Sequence, residues 1–120
     1  MESGNFSDYR VHLWLAQLGK TWVALHFADP NVSGAYASEV FGGSYSRMKT
    51  TWSTPDSRVM FNEVSVYFKG LPSVKISFIA GWDKQYNGNL EFCIPLTDPV
   101  PVLAGRGYTI DANMLALSLP

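Results

Sequence analysis

The sequence predicts a mostly β domain: an antiparallel β-sandwich of jelly-roll type with one short N-terminal α-helix. Three observations carry this. Apolar residues alternate with period two through most of the chain after Gly19, as half-buried strands require. Turn-forming pairs and triplets, Asp29-Pro30-Asn31, Gly70-Leu71-Pro72, Asn87-Gly88 and Gly105-Arg106-Gly107, punctuate those runs. A helical period occurs only before Gly19.

In chain order, the helix is expected over about 5–18. Asn5 caps it, Asp8 favours its N-terminal dipole, and Val11, Trp14, Leu15 and Leu18 fall on a single stripe. Gly19 stops it. From Thr21 to Phe27, Val23, Leu25 and Phe27 alternate with Trp22, Ala24 and His26. Asp29-Pro30-Asn31 reads as a turn, and residues 31–44, rich in Gly, Ser and Ala, as a long loop of the kind that forms contact surfaces. Tyr45 to Trp52 is expected as a strand. Val59 to Phe68 holds further strand, with Val64, Val66 and Phe68 on one face. Val74, Ile76, Phe78, Ala80 and Trp82 alternate most clearly of all, and Leu90, Phe92, Ile94 and Leu96 alternate back after a tight Asn-Gly hairpin. Pro95 belongs at an edge or bulge, and Pro99 and Pro101 are expected to break the following stretch. Tyr108 to Asp111 and the Leu115, Leu117, Leu119 alternation close a set of about seven or eight strands.

The 120 residues fit a single domain, 1–120, with strands over about 21–119. Charged residues make up 16% and aromatic residues 14%, where about 25% charge is ordinary. A small domain that is poor in charge and rich in aromatics is expected to hide surface against neighbours. The net charge of −1, with no basic run, gives nucleic acid no electrostatic footprint. No apolar run approaches a membrane span, and the polar start at Met1-Glu2-Ser3 is not a signal peptide.

The search for chemistry returns no catalytic, cofactor or metal site, and no cofactor is expected. His12 and His26 are the only histidines and Cys93 the only cysteine, too few ligands for zinc. The carboxylates sit mainly beside Pro, Gly or Asn, where turns favour them. No glycine-rich loop leads into a helix to cradle phosphate. The candidate partner contacts are aromatic: Tyr36 and Phe41 in the long loop, Trp22 and Trp52 on strands.

The ordered segments Leu25 to Pro30, Glu39-Val40, Gly42-Gly43, Tyr45-Ser46-Arg47, Gly81-Trp82-Asp83, Gly88-Asn89-Leu90, Ala104-Gly105 and Leu115 to Leu119 together resemble a family of small bacteriophage virion proteins, tail fibre or minor tail proteins. Gly70-Leu71-Pro72 stands where that family has Trp-Gly. The resemblance implies a virion structural protein rather than an enzyme, assembled in the bacterial host cytoplasm. Its partners would be other virion proteins and copies of itself, held through its charge-poor surface and its sheet edges or helix. The alternatives are a capsid decoration protein and a carbohydrate-binding module for a host surface glycan or receptor.

Overall fold

The computed structural model describes residues 21–33, 36–53 and 59–118. The helix expected over 5–18, with His12, lies outside them, as does Leu119. The described chain is dominated by antiparallel strands: β1 (Trp22–His26), β2 (Met48–Lys49), β3 (Val59–Phe61), β4 (Val66–Phe68), β5 (Val74–Trp82), β6 (Leu90–Val102), β7 (Tyr108–Ile110) and β8 (Ala116–Ser118). A single-turn helix, α1 (Pro30–Ser33), follows β1.

Four strands form one sheet in the order β2-β1-β5-β6; β3 pairs with β8 and β4 with β7 as separate ribbons. The ribbons pack on one face of the sheet. Phe68 and Ile110 from one ribbon meet Val23, Leu25, Ile76, Ile79 and Val102 in the principal core. Met60 and Leu117 from the other lie against Phe92 and Ile94. The fold is thus two-layered and antiparallel, but the second layer is two ribbons and not the continuous sheet of a jelly roll.

The β5 period is real but changes face midway. Irregularities in its pairing with β6 fall between Ile76 and Phe78 and between Gly81 and Trp82. The extra residue of a bulge reverses which side chains point inward. Ile76 and Ile79 therefore enter the principal core, while Ala80 and Trp82 join Ala24 and Leu90 in a second cluster. Across the sheet, Gly81 pairs with Phe92. A Cβ at Gly81 would run into the Phe92 ring, so the glycine provides the seat for that aromatic.

Other boundaries differ for physical reasons. Asp29-Pro30-Asn31 starts α1: the Asp29 carboxylate accepts from Asn31 N–H at 2.9 Å, with Pro30 at the first helical position. The strand expected over Tyr45–Trp52 shrinks to Met48–Lys49 plus a single bridge from Trp52 to Asn62. Its flanks bond through side chains, Arg47 to Glu39 and Thr50 to the Val64 carbonyl. Val64 does not share the buried face of Val66 and Phe68; it is exposed in the bend between β3 and β4. Pro99 and Pro101 do not break β6, which runs on through both to Val102. An edge strand tolerates proline wherever the nitrogen faces away from the sheet.

Asn62, missed by sequence reasoning, holds the two ribbons together. It is fully buried. Its Nδ2 donates to the carbonyls of Val64 (3.1 Å) and Asp111 (3.0 Å). Its Oδ1 accepts from Leu115 N–H at 2.8 Å.

Candidate functional site

The connection between β5 and β6 spans residues 83–89, longer than the tight hairpin expected. The Asn-Gly pair still adopts the left-handed conformation that motivated it, with φ of 56° at Asn87 and 83° at Gly88. Asp83 closes the loop: its Oδ1 accepts from Asn89 N–H at 2.7 Å and its Oδ2 from Asn89 Nδ2 at 3.1 Å. The Asn89 amide holds the Asp83 carboxyl below its usual range. Gly88→Val is expected to destabilise the fold by about 2 kcal/mol or more, since the φ is unfavourable to a β-branched residue and its Cβ would meet the Asp83 carboxylate and, at 3.0 Å, Lys84 Cβ. Thermal unfolding checks this; an unchanged Tm would show that the loop accommodates the side chain.

This loop is clasped to the segment 36–47 by a buried polar network. Arg47, 4% exposed, forms a bidentate pair with Glu39, Nε to Oε2 at 2.8 Å and Nη2 to Oε1 at 2.7 Å. Its Nη1 donates to the carbonyls of Lys84 (2.8 Å) and Asn87 (2.7 Å). The guanidinium lies 4.3 Å from the Trp82 ring centroid. Tyr45 OH donates to Glu39 Oε2 at 2.6 Å and accepts from Leu25 N–H at 3.1 Å. Burial, reinforced by the Glu39 carboxylate, pushes the Tyr45 hydroxyl far above its ordinary value and keeps it a donor.

His26 completes the network on the sheet side. It is fully buried, and Trp82 Nε1–H donates to its Nε2 at 3.3 Å. That assigns the proton to Nδ1, which donates to Ser38 Oγ at 2.9 Å. Burial, with a smaller contribution from Arg47 and against the opposing pull of Glu39, lowers its pKa from 6.5 to about 4. Between these values the unfolded chain takes up a proton that the folded chain refuses. Stability should therefore be full above the unfolded pKa and fall as pH drops through the window, by on the order of 3 kcal/mol in all. Urea unfolding from pH 7 to pH 4 checks this. His26→Gln should flatten the dependence, and a wild-type profile as flat as the variant's would contradict it.

The residues singled out as motifs, His26, Glu39, Tyr45, Arg47, Trp82, Asp83, Gly88 and Asn89, therefore converge on one place. Their chemistry is structural: each strong donor or acceptor faces another across the clasp. Cys93 pairs across the sheet with Ala80, and burial raises its thiol pKa, the opposite of what a nucleophile needs. Among the described residues no group of His, Cys, Asp and Glu is placed to hold a metal ion, and no helix is long and apolar enough to cross a membrane.

The four aromatic candidates occupy different settings. Tyr36 stacks on Trp82 at 5.2 Å between centroids and donates its hydroxyl to the Gly88 carbonyl at 2.6 Å. Phe41 stands free, 77% exposed. Tyr36 and Phe41 line the same cleft of about 420 Å³ above the clasp, together with Tyr86, which the sequence did not single out. Trp22 is half-buried on β1 with the Lys49 ammonium 4.9 Å from its ring centroid. Trp52 is packed edge-on against Phe92 at 5.8 Å, and its buried indole N–H has no hydrogen-bond partner. Neither tryptophan lines the cleft.

A family model described as podophage GP4 fiber I protein gp80 matches residues 13–118. No curated protein matches the chain.

Proposed function

The chain belongs to the podophage GP4 fiber I protein family, a family of phage tail fibre structural proteins, and from that premise we propose that it is a minor tail subunit seated at the tail tip or along a fibre. The observation that carries the reading is the extent of the match, which spans 13–118 and so includes every residue of the clasp. In this reading the chain is a homo-oligomer built in the host cytoplasm, has no catalytic step of its own, and binds neighbouring virion proteins. The saturation of Arg47, Glu39 and Tyr45 by one another supports a structural role over an enzymatic one.

The surface supports contacts through a face, not through the sheet edges expected from the sequence. One edge of the four-stranded sheet, β6, carries Pro95, Pro99 and Pro101, which lack the N–H groups an added strand would need. The other, β2, has two residues. By contrast Tyr67, Leu103 and Met114 are 55%, 68% and 70% exposed. They lie around adjoining depressions that share Tyr108 and Thr109. An apolar face of that kind is the surface that association desolvates.

Quantitative mass spectrometry of purified virions separated into heads and tails tests the assignment. A low copy number that follows the tail is the expected result. A copy number comparable to the major capsid protein, following the head, would replace it with the capsid-decoration alternative, and absence from both would refute a virion role.

A further inference from the structure

We propose that the cleft above the clasp is a binding site for a neutral saccharide. The inference rests on the cleft itself and not on where the chain sits in the virion. Four aromatic residues line it: Tyr36, Phe41 and Tyr86, with Tyr45, whose hydroxyl is held by Glu39, at its base. Phe41 and Tyr86 are 77% and 71% exposed, so most of each ring faces solvent without a covering group. Tyr36 is fixed from behind by Trp82 and by its bond to the Gly88 carbonyl, and offers a rigid platform at low entropic cost. The apolar C–H face of a pyranose packs against such rings, and Tyr and Trp are the side chains that combine a large flat surface with a polar tip.

Polar groups are also present to receive hydroxyls. Gln85 lines the cleft beside Tyr86, and among the described residues neither its carboxamide nor the Tyr86 hydroxyl has a partner. A carboxamide both donates and accepts, which matches a sugar hydroxyl. Ser46 and Asn87 add further polar lining.

Electrostatics selects a neutral ligand. The two charged residues lining the cleft are Arg47 and Glu39, and they are committed to each other in a bidentate pair. Arg47 spends its remaining bonds on the Lys84 and Asn87 carbonyls, which leaves it poorly placed to bind a carboxylate or phosphate. Glu39 accepts from both Arg47 and Tyr45, which leaves it equally poor for a cation. The volume of about 420 Å³ falls in the range of roughly 300–1,000 Å³ typical of small-ligand clefts.

Saturation-transfer-difference NMR on the full chain tests this, with galactose, mannose, rhamnose and N-acetylglucosamine as probes and glucuronic and sialic acid as charged controls. A signal from at least one neutral sugar is expected. It should fall about tenfold or vanish in Phe41→Ala/Tyr86→Ala, a variant whose Tm should be unchanged because both rings stand in solvent. Gln85→Ala should weaken binding as well without affecting Tm. Three outcomes would overturn the proposal: no neutral sugar binding at concentrations up to about 10 mM, binding retained in the double variant, or binding confined to the charged controls.

Discussion

Arg47→Met is expected to destabilise the domain by about 3–5 kcal/mol. The methionine fills much of the same space, so the loss comes from the polar groups left behind. Glu39, 15% exposed at its side chain, keeps a charge with no countercharge, and the carbonyls of Lys84 and Asn87 lose their donor. Burying such groups unpaired costs about 1–3 kcal/mol each. Adding Glu39→Gln to Arg47→Met removes the stranded charge and should recover part of the loss, because neutral replacement of both partners is far milder than removal of one. Urea denaturation of the two single variants and the double variant measures the coupling. A cost below about 1 kcal/mol for Arg47→Met would show that solvent reaches the pair and that the clasp is a surface ion pair of little worth.

Asn62→Leu is expected to cost about 1–3 kcal/mol, from a position with no charge at all. Leucine conserves volume but strips three bonds: Leu115 N–H is left without an acceptor, while the Val64 carbonyl keeps only the Thr50 hydroxyl and the Asp111 carbonyl only Met114 N–H. The Leu115 N–H lies in the buried part of this network, where water cannot easily replace the lost partner. The loss should appear as a local opening too, with faster amide exchange at Leu115 and along β8, since Asn62 ties the β3–β8 ribbon to the turn after β7. Normal exchange and an unchanged denaturation midpoint would show that the segment after Asp111 is held by other contacts.

Strand positions were legible in the sequence where alternation is long. β1, β5 and the first half of β6 follow the period-two pattern closely, because side-chain alternation is set by the pleat. What the pattern could not show was where the pleat slips. The bulge near Ser77 sends Ile76 and Trp82 to opposite faces, and nothing in Val74–Trp82 marks it. Pro95 reads as an edge or bulge position, and β6 is an edge strand; Pro99 and Pro101 read as breaks because local rules treat proline as a terminator. Whether a strand lies at an edge is a property of the sheet, not of the strand. Asp29-Pro30-Asn31 reads locally as a turn, but the side-chain bond from Asn31 N–H to Asp29 makes it the start of a helical turn.

The candidate site was legible in pieces only. Each short motif was visible, but the closeness of Arg47 and Glu39 in sequence says nothing of the bonds Arg47 makes to the Lys84 and Asn87 carbonyls, some forty residues on. Tyr36 and Phe41 stood out as loop aromatics, while Tyr86 was hidden in a turn read for its Asn-Gly pair. Asn62 carried no signal: a single asparagine after Phe61 looks like any loop residue until the fold closes round it.

Hydroxyl-radical footprinting of the chain in intact virions and free in solution bears most directly on the claim that this is an assembled fibre subunit. Tyr67, Leu103 and Met114 are expected to lose most of their reactivity in the virion, while Phe41 and Tyr86 at the cleft keep theirs. Equal reactivity of Tyr67, Leu103 and Met114 in both states would contradict assembly through this face.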